Sequence, residues 1–298
     1  MDKQEKQPKS NWVSSDRLDY IRTSRGNQFA PRGVYFRTFS SWHAGDRLHR
    51  LPLGLRQLGM GLRNWRVFWR PKKLEFRYMS DGFATKSRLA FLKDERFQRS
   101  YDRMILATGF PTDPGLHLRV HQALWASSTA RNIEGDFVEC GTGRGMIFSA
   151  ILEYFDDWSS LNKSVYLFDT FSPFFLNPQT GQNDSTRGVR SQYARSLENT
   201  QQNFSQWPRV HCIAGMLPGT LDSAPLTKIA FLHLDLNYAP SEEQVLRKLW
   251  PLISNGGIVL LDDYGSTDEQ NETMNRVARE LGVQILTTGS SQGIIIKS

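Results

Sequence analysis

The 298-residue chain is 39% hydrophobic and 22% charged, enough apolar material for one large domain with an appendage or for two small ones. No run approaches the roughly 18 consecutive apolar residues of a membrane-spanning helix, and its two cysteines, Cys140 and Cys212, exclude a disulfide scaffold or cysteine-built zinc site and fit a reducing cytoplasm. The net charge of +7 hides an asymmetry, because residues 1–100 hold 22 Lys and Arg against 9 Asp and Glu and the remainder 15 against 21; the acidic remainder argues against nucleic acid as the main domain's substrate.

Residues 1–78 read as a basic N-terminal extension. Its polar opening, MDKQEKQPKS, has no apolar core of the kind a secretory signal needs, which points to the cytoplasm. Residues 1–50 show no sustained period and are expected to be largely disordered. Within 51–73, Leu51, Leu55, Leu58, Leu62, Trp65 and Trp69 recur at helical spacing among Arg56, Arg63, Arg66, Arg70, Lys72 and Lys73. Such an amphipathic helix either docks on the body of the protein or lies peripherally on an anionic membrane surface.

Residues 79–298 read as one domain that begins with a helical region, 79–131, including a helix over Leu116–Arg131. Then strand and helix alternate: strand Asp136–Cys140, helix Met146–Tyr154, strand Val165–Phe168, and a long polar loop with Pro173, Pro178, Gly181 and Gly188. A helix near Gln192–Phe204, strands Val210–Ala214 and Ile229–Leu234, helix Ser241–Leu252, strand Ile258–Leu261 and helix Glu269–Leu281 follow. Apolar strands separated by helices predict a doubly wound, mostly parallel α/β sheet. The last pair, Val283–Thr287 and Gly293–Lys297, is joined by too few residues for a parallel crossover and must close the sheet as an antiparallel hairpin.

Two groups of residues carry chemistry. Glu139-Cys140-Gly141-Thr142-Gly143-Arg144-Gly145 lies where a strand becomes a helix, with the spacing E-x-G-x-G-x-G instead of the dinucleotide fingerprint G-x-G-x-x-G. A carboxylate at Glu139 is a poor neighbour for a pyrophosphate but suits a cationic amino-acid group. This favours S-adenosylmethionine over NAD, although the glycines alone also read as a plain turn. Asp169, 28 residues after Gly141, ends the next strand, where it either accepts from ribose hydroxyls or caps a turn. Gly215, ending a further strand, leaves room for a flat adenine.

The second group is Asp235 with Asp262 and Asp263, at the ends of two strands expected to be neighbours about 5 Å apart. Three converging carboxylates repel unless protonated or bridged, and all-oxygen ligands suit Mg²⁺; singly, each also reads as a helix cap. His117 and His121 stand one helical turn apart without the Glu of a zinc-protease motif, so packing or pocket roles are expected of them. His233 shares a strand face with Asp235 and reads as a buried structural histidine, and Cys140 as a small core residue.

VECGTGRG, YLFDTF, HLDLNYAP and GGIVLLDDYG, in that order, resemble the macrocin-O-methyltransferase-like family of class I methyltransferases. DGFATKSRLAFLKDERFQRSYDR, LRVHQALWASSTARNIEGDFVEC and the tail GSSQGIIIKS are also similar to bacterial members, so the likeness covers roughly residues 80–298. The resemblance implies a seven-stranded Rossmann-like sheet with a helical N-terminal lid at 79–131, S-adenosylmethionine and Mg²⁺ as cofactors, and a sugar hydroxyl on a small-molecule or glycan acceptor. By it, Glu139, Gly141, Thr142, Gly143 and Asp169 would line the cofactor site, joined by Gly215. Asp235, Asp262 and Asp263 would hold the metal, with Asp235 in the catalytic role. The family commonly has a second Asp where this chain has Asn237, and 172–190 contains no histidine to serve as base. An NAD(P)-dependent oxidoreductase on the same sheet, a non-catalytic binding subunit and a homo-oligomer stay open at this point.

Overall fold

A computed structural model describes residues 76–172 and 196–298. The expected disorder of 1–50, the amphipathic helix at 51–73 and nearly all of the polar loop lie outside the described residues. A short hairpin opens the fold, β1 (Tyr78–Ser80) and β2 (Phe83–Thr85). It stands where a helical region was expected to begin. Its turn, Asp81-Gly82, has positive φ at both residues, +50° and +72°, the geometry that an Asp-Gly pair favours in two-residue hairpins. Helices α1 (Glu95–Thr108) and α2 (His117–Ala130) follow. Asp94 starts α1 by accepting from the Phe97 amide at 2.7 Å, and left-handed Gly109 ends it.

The alternation then runs β3 (Asp136–Cys140), α3 (Met146–Tyr154), β4 (Val165–Asp169), α4 (Leu197–Phe204), β5 (Val210–Ala214), β6 (Ile229–Leu234), α5 (Ala239–Leu249), β7 (Ile253–Leu261) and α6 (Asp268–Leu281). Strands β8 (Leu286–Thr287) and β9 (Gly293–Ile296) complete it. Helix α5 stops short of the expected Leu252 because its last turn tightens to a 3₁₀ turn at Trp250-Pro251-Leu252. Strand β7 starts earlier than expected and carries an irregularity beside left-handed Gly256. The seven strands lie in the order β5-β4-β3-β6-β7-β9-β8, parallel except for β9 and β8. Strands β3, β4, β6 and β7 are buried on both faces, as their unbroken apolar runs require.

Alternation along the strands divides the core. Phe137, Phe231, Ile258, Leu260 and Ile294 pack under α1, α2 and α3, while Val138, Leu232, Leu234, Val259, Leu261 and Ile295 pack against α5 and α6. The helical region expected as a lid is built into the first of these layers through Tyr101, Met104, Val120, Ala123 and Leu124. The strand order reverses at β3, running outward through β4 and β5 on one side and through β6 and β7 on the other, so the ends of the parallel strands β3 and β6 flank the crevice where open α/β sheets bind ligands. No helix among the described residues is long and apolar enough to cross a membrane.

Candidate active site

The glycine segment turns from β3 into α3 with positive φ at Gly141 (+95°), Gly143 (+54°) and Gly145 (+86°). The requirement is steric at Gly141, where a Cβ would lie 1.8 Å from the Asp235 carbonyl oxygen. The neighbouring chain segment alone is enough to require that glycine. Asp169 binds the same loop, with Oδ2 accepting from the Gly143 amide and Oδ1 from the Phe171 amide, both at 2.7 Å. Burial raises its pKa and these bonds partly offset the rise. Thr170 Oγ1 also donates to Oδ1, at 3.4 Å, so a lone pair is kept on Oδ2. Gly215 is likewise sterically fixed, since a Cβ there would sit 2.3 Å from Thr220 Oγ1.

Period-two alternation carries the α1–α3 face of the sheet into polar residues at its C-terminal edge. Glu139, His233, Asp262 and Gln292, on β3, β6, the end of β7 and the approach to β9, form a row across four neighbouring strands, and all four are buried. His233 Nδ1 meets Glu139 Oε1 at 2.9 Å and Nε2 meets Asp262 Oδ1 at 3.4 Å. Gln292 Nε2 donates to the same Asp262 oxygen at 2.7 Å. Burial alone would discharge the imidazole, but the two flanking carboxylates outweigh it and raise its pKa to about 10. Glu139, expected to face a cofactor amino group, thus spends one oxygen on His233; its pKa is raised by burial, against the pull of that histidine.

Asp235, Asp262 and Asp263 do converge. Each offers an oxygen, and the three oxygens lie within 4.8 Å of one another. Their environments differ sharply. Asp262 stays well below the usual carboxylate range despite its burial, because Arg119 of α2 forms an ion pair with Oδ2 and His233 and Gln292 hold Oδ1. Asp235 is pushed up by desolvation and by the charges of Asp262 and Asp263, and Asp263 by desolvation and Asp262. Asp263 Oδ1 accepts from Ser266 at 3.0 Å, while Oδ2 is buried with no hydrogen-bond partner among the described residues. An all-oxygen trio with surplus negative charge and an orphaned carboxylate oxygen fits a hard divalent cation. Behind it, Glu242 accepts from the Leu236 amide and Gln270, fixing the turn after Asp235, and burial with the Asp263 charge lifts its pKa to about 8.

Asn237, where the resemblance led one to expect a second Asp, is exposed, left-handed at φ +55° and donates through Nδ2 to Asp235 Oδ1 at 2.8 Å. It holds Asp235 in place without adding a like charge. The two helical histidines serve packing: His117 pairs with Asp113 at 3.3 Å and stacks on Tyr101, and His121 stacks on Phe91 at 3.8 Å. Arg119 and Gln292 had no sequence signal, being 143 and 30 residues from Asp262.

The family described as macrocin-O-methyltransferase (TylF) matches residues 91–286. The chain belongs to this family. It is 30% identical over 148 residues to demethyldecarbamoylnovobiocin O-methyltransferase of Streptomyces niveus, covering 45% of this chain and 54% of that protein. It is 28% identical over 154 residues to mycinamicin III 3''-O-methyltransferase of Micromonospora griseorubida, covering 46% and 58%. The chain thus spans about half the length of the curated relatives it matches. Among solved structures, the O-methyltransferase NovP aligns over 60% of this chain and 79% of its own, with a TM-score of 0.52 and 22% identity. The fold is accordingly that of class I methyltransferases, as the macrocin-O-methyltransferase family membership requires.

Proposed function

We propose that this family member transfers a methyl group from S-adenosylmethionine to a hydroxyl of a sugar or glycosylated small molecule, assisted by a divalent cation such as Mg²⁺. The observation that carries the reading is the convergence of Asp235, Asp262 and Asp263 at the sheet's switch point, one strand from the glycine loop. The name of a further relative, 29% identical over 149 residues, 8-demethyl-8-(2,3-dimethoxy-alpha-L-rhamnosyl)-tetracenomycin-C 4'-O-methyltransferase of Streptomyces olivaceus, supports the acceptor class.

In the reaction the acceptor O–H bond breaks and its proton passes to solvent, a C–O bond forms as the S–C bond breaks, and the electron pair of the broken S–C bond neutralises the sulfonium. Charge on the two reactants diminishes together, so exclusion of water and alignment do much of the work. Glu139, Thr142 and Asp169 surround the glycine loop with acceptors suited to the cationic donor and its ribose. Asp235, the half-buried carboxylate steadied by Asn237, stands at the acceptor side of this edge. A bound cation supplies Lewis acidity that eases ionisation of the acceptor hydroxyl; Asp235, Asp262 and Asp263 are the residues that would hold it.

Calorimetric titration with S-adenosylmethionine, in Mg²⁺ and in chelator and with NAD as control, tests the reading, followed by labelled-methyl transfer to sugar acceptors. Saturable binding of S-adenosylmethionine alone is expected. Binding of NAD instead would overturn the donor reading; it would not make the aspartates helix caps, since Tyr238 and Thr267 stand at the N-caps of α5 and α6.

A further inference from the structure

Of the three clustered carboxylates, Asp262 is the one the protein itself already binds with a cation. Among the described residues, Asp235 and Asp263 take the neutral donors Asn237 and Ser266. Asp262 instead pairs with Arg119, which reaches it from the first turn of α2. The guanidinium has a second anchor: Nε and Nη2 fork Asp81 at 3.2 and 3.3 Å, and Nη2 lies 3.4 Å from the Ser290 carbonyl. Asp81 is the first turn residue of the β1–β2 hairpin. Five coplanar donors let one guanidinium span two carboxylates, and its charge cannot be discharged in water-accessible proteins. A lysine could not make the same bridge.

We propose that Arg119 is a tethered cation that contends with the divalent ion for Asp262, setting the ion's affinity and linking its arrival to the β1–β2 hairpin. The inference rests on the divalent-cation reading above. An entering ion and the guanidinium compete for the oxygen Asp262 Oδ2, and they repel one another. Asp81 makes the exchange feasible, because Arg119 displaced from Asp262 keeps a bidentate carboxylate and is not stranded as an unpaired buried charge. The hairpin then loses its tie to β7. Its ties to Gly115 are independent, since Ser80 Oγ and the Tyr78 hydroxyl donate to that carbonyl at 2.7 and 3.3 Å.

Direct titration of the full chain with Mn²⁺, followed by electron paramagnetic resonance and calorimetry, tests this without any assay of turnover. Arg119→Gln is expected to bind Mn²⁺ about tenfold tighter than the wild type, the size of one nearby screened charge. Asp81→Asn, which leaves the guanidinium no carboxylate but Asp262 among those it now pairs with, is expected to bind several-fold weaker. If Arg119 merely orients Asp262 as a ligand, both variants weaken, and equal or weaker binding by Arg119→Gln overturns the proposal. Absence of Mn²⁺ uptake by both the wild type and Arg119→Gln overturns the cation reading itself. Should Arg119→Gln not fold, hydrogen exchange of the wild type decides: Mn²⁺ is expected to speed exchange across Tyr78–Thr85, and unchanged exchange overturns the proposal.

Discussion

Gly141→Ala probes the junction between the glycine loop and the carboxylate cluster in a single atom. The added Cβ would sit 1.8 Å from the Asp235 carbonyl oxygen and 2.6 Å from its carbon, both backbone atoms that cannot rotate away. Restoring an ordinary contact of about 3.5 Å requires the ends of β3 and β6 to part by roughly 1.7 Å. That opening stretches the bond from the Asp235 amide to the Cys140 carbonyl, now 2.9 Å. Overpacking costs about 1–3 kcal/mol, the left-handed backbone at φ +95° about 1–2 kcal/mol more, and the strained hydrogen bond about 1 kcal/mol. The sum, roughly 3–6 kcal/mol, corresponds to a fall in Tm of about 10–20 °C for a domain of this size. Gly282→Ala is the matched control, because Gly282 also has positive φ (+71°) but its Cβ would meet nothing within 4 Å. It should lose only about 1–2 kcal/mol. Thermal and urea unfolding of both variants, with S-adenosylmethionine titration of whatever folds, measures the difference. Equal Tm values for the two variants, with wild-type ligand affinity in Gly141→Ala, would refute the steric reasoning.

Three further outcomes are expected. Asp169→Ala removes the acceptor of the Gly143 and Phe171 amides, each a charge-assisted bond of about 1.5–3 kcal/mol, so S-adenosylmethionine affinity should drop at least about tenfold by calorimetry. His233 has a folded-state pKa of about 10, above its ordinary value, so its contribution to stability is complete below about pH 6.5 and is lost as pH rises through 10, at about 1.4 kcal/mol per pH unit. Urea unfolding from pH 6 to 9.5 should show that decline in the wild type and not in His233→Gln; a slope common to both proteins would count against the bridge. Asp113, fully buried at its side chain and held at about 2 against its burial by His117, Tyr101 and the Gly115 amide, stabilises the fold above its ordinary pKa and loses that effect as pH falls through 2. Asp113→Asn should therefore cost about 2 kcal/mol at pH 7 and flatten the acid limb of the stability profile, and an unaltered acid limb would show that the ion is not stabilised there.

Local signals located most of the fold. Strand Asp136–Cys140 and helix Met146–Tyr154 appear with the expected bounds because a doubly buried strand and the helix after a glycine turn are specified by residues next to one another. The hairpin at Tyr78–Thr85 was missed although Asp81-Gly82 announces it, since three-residue strands carry too little alternation to register as strands. The site was legible to the extent that its residues end strands: Gly141, Gly143, Asp169, Asp235, Asp262 and Asp263 all do so or adjoin such ends.

Sequence by itself determined the parallel sheet, the antiparallel close and the crowding of acids at one edge, because each follows from periodicity over a few residues and from strands that are forced to be neighbours. Only the tertiary structure decided what those acids face. His233 reads as an ordinary core residue until β3 and β7 flank it with Glu139 and Asp262. Arg119 reads as one more cation on a helix until packing lays α2 across the sheet and aims its guanidinium between Asp81 and Asp262. Charge acts through space, and its strength rises as neighbouring groups exclude water. The pairings that set these pKa values therefore arise only when segments 29 to 143 residues apart are brought together at one sheet edge.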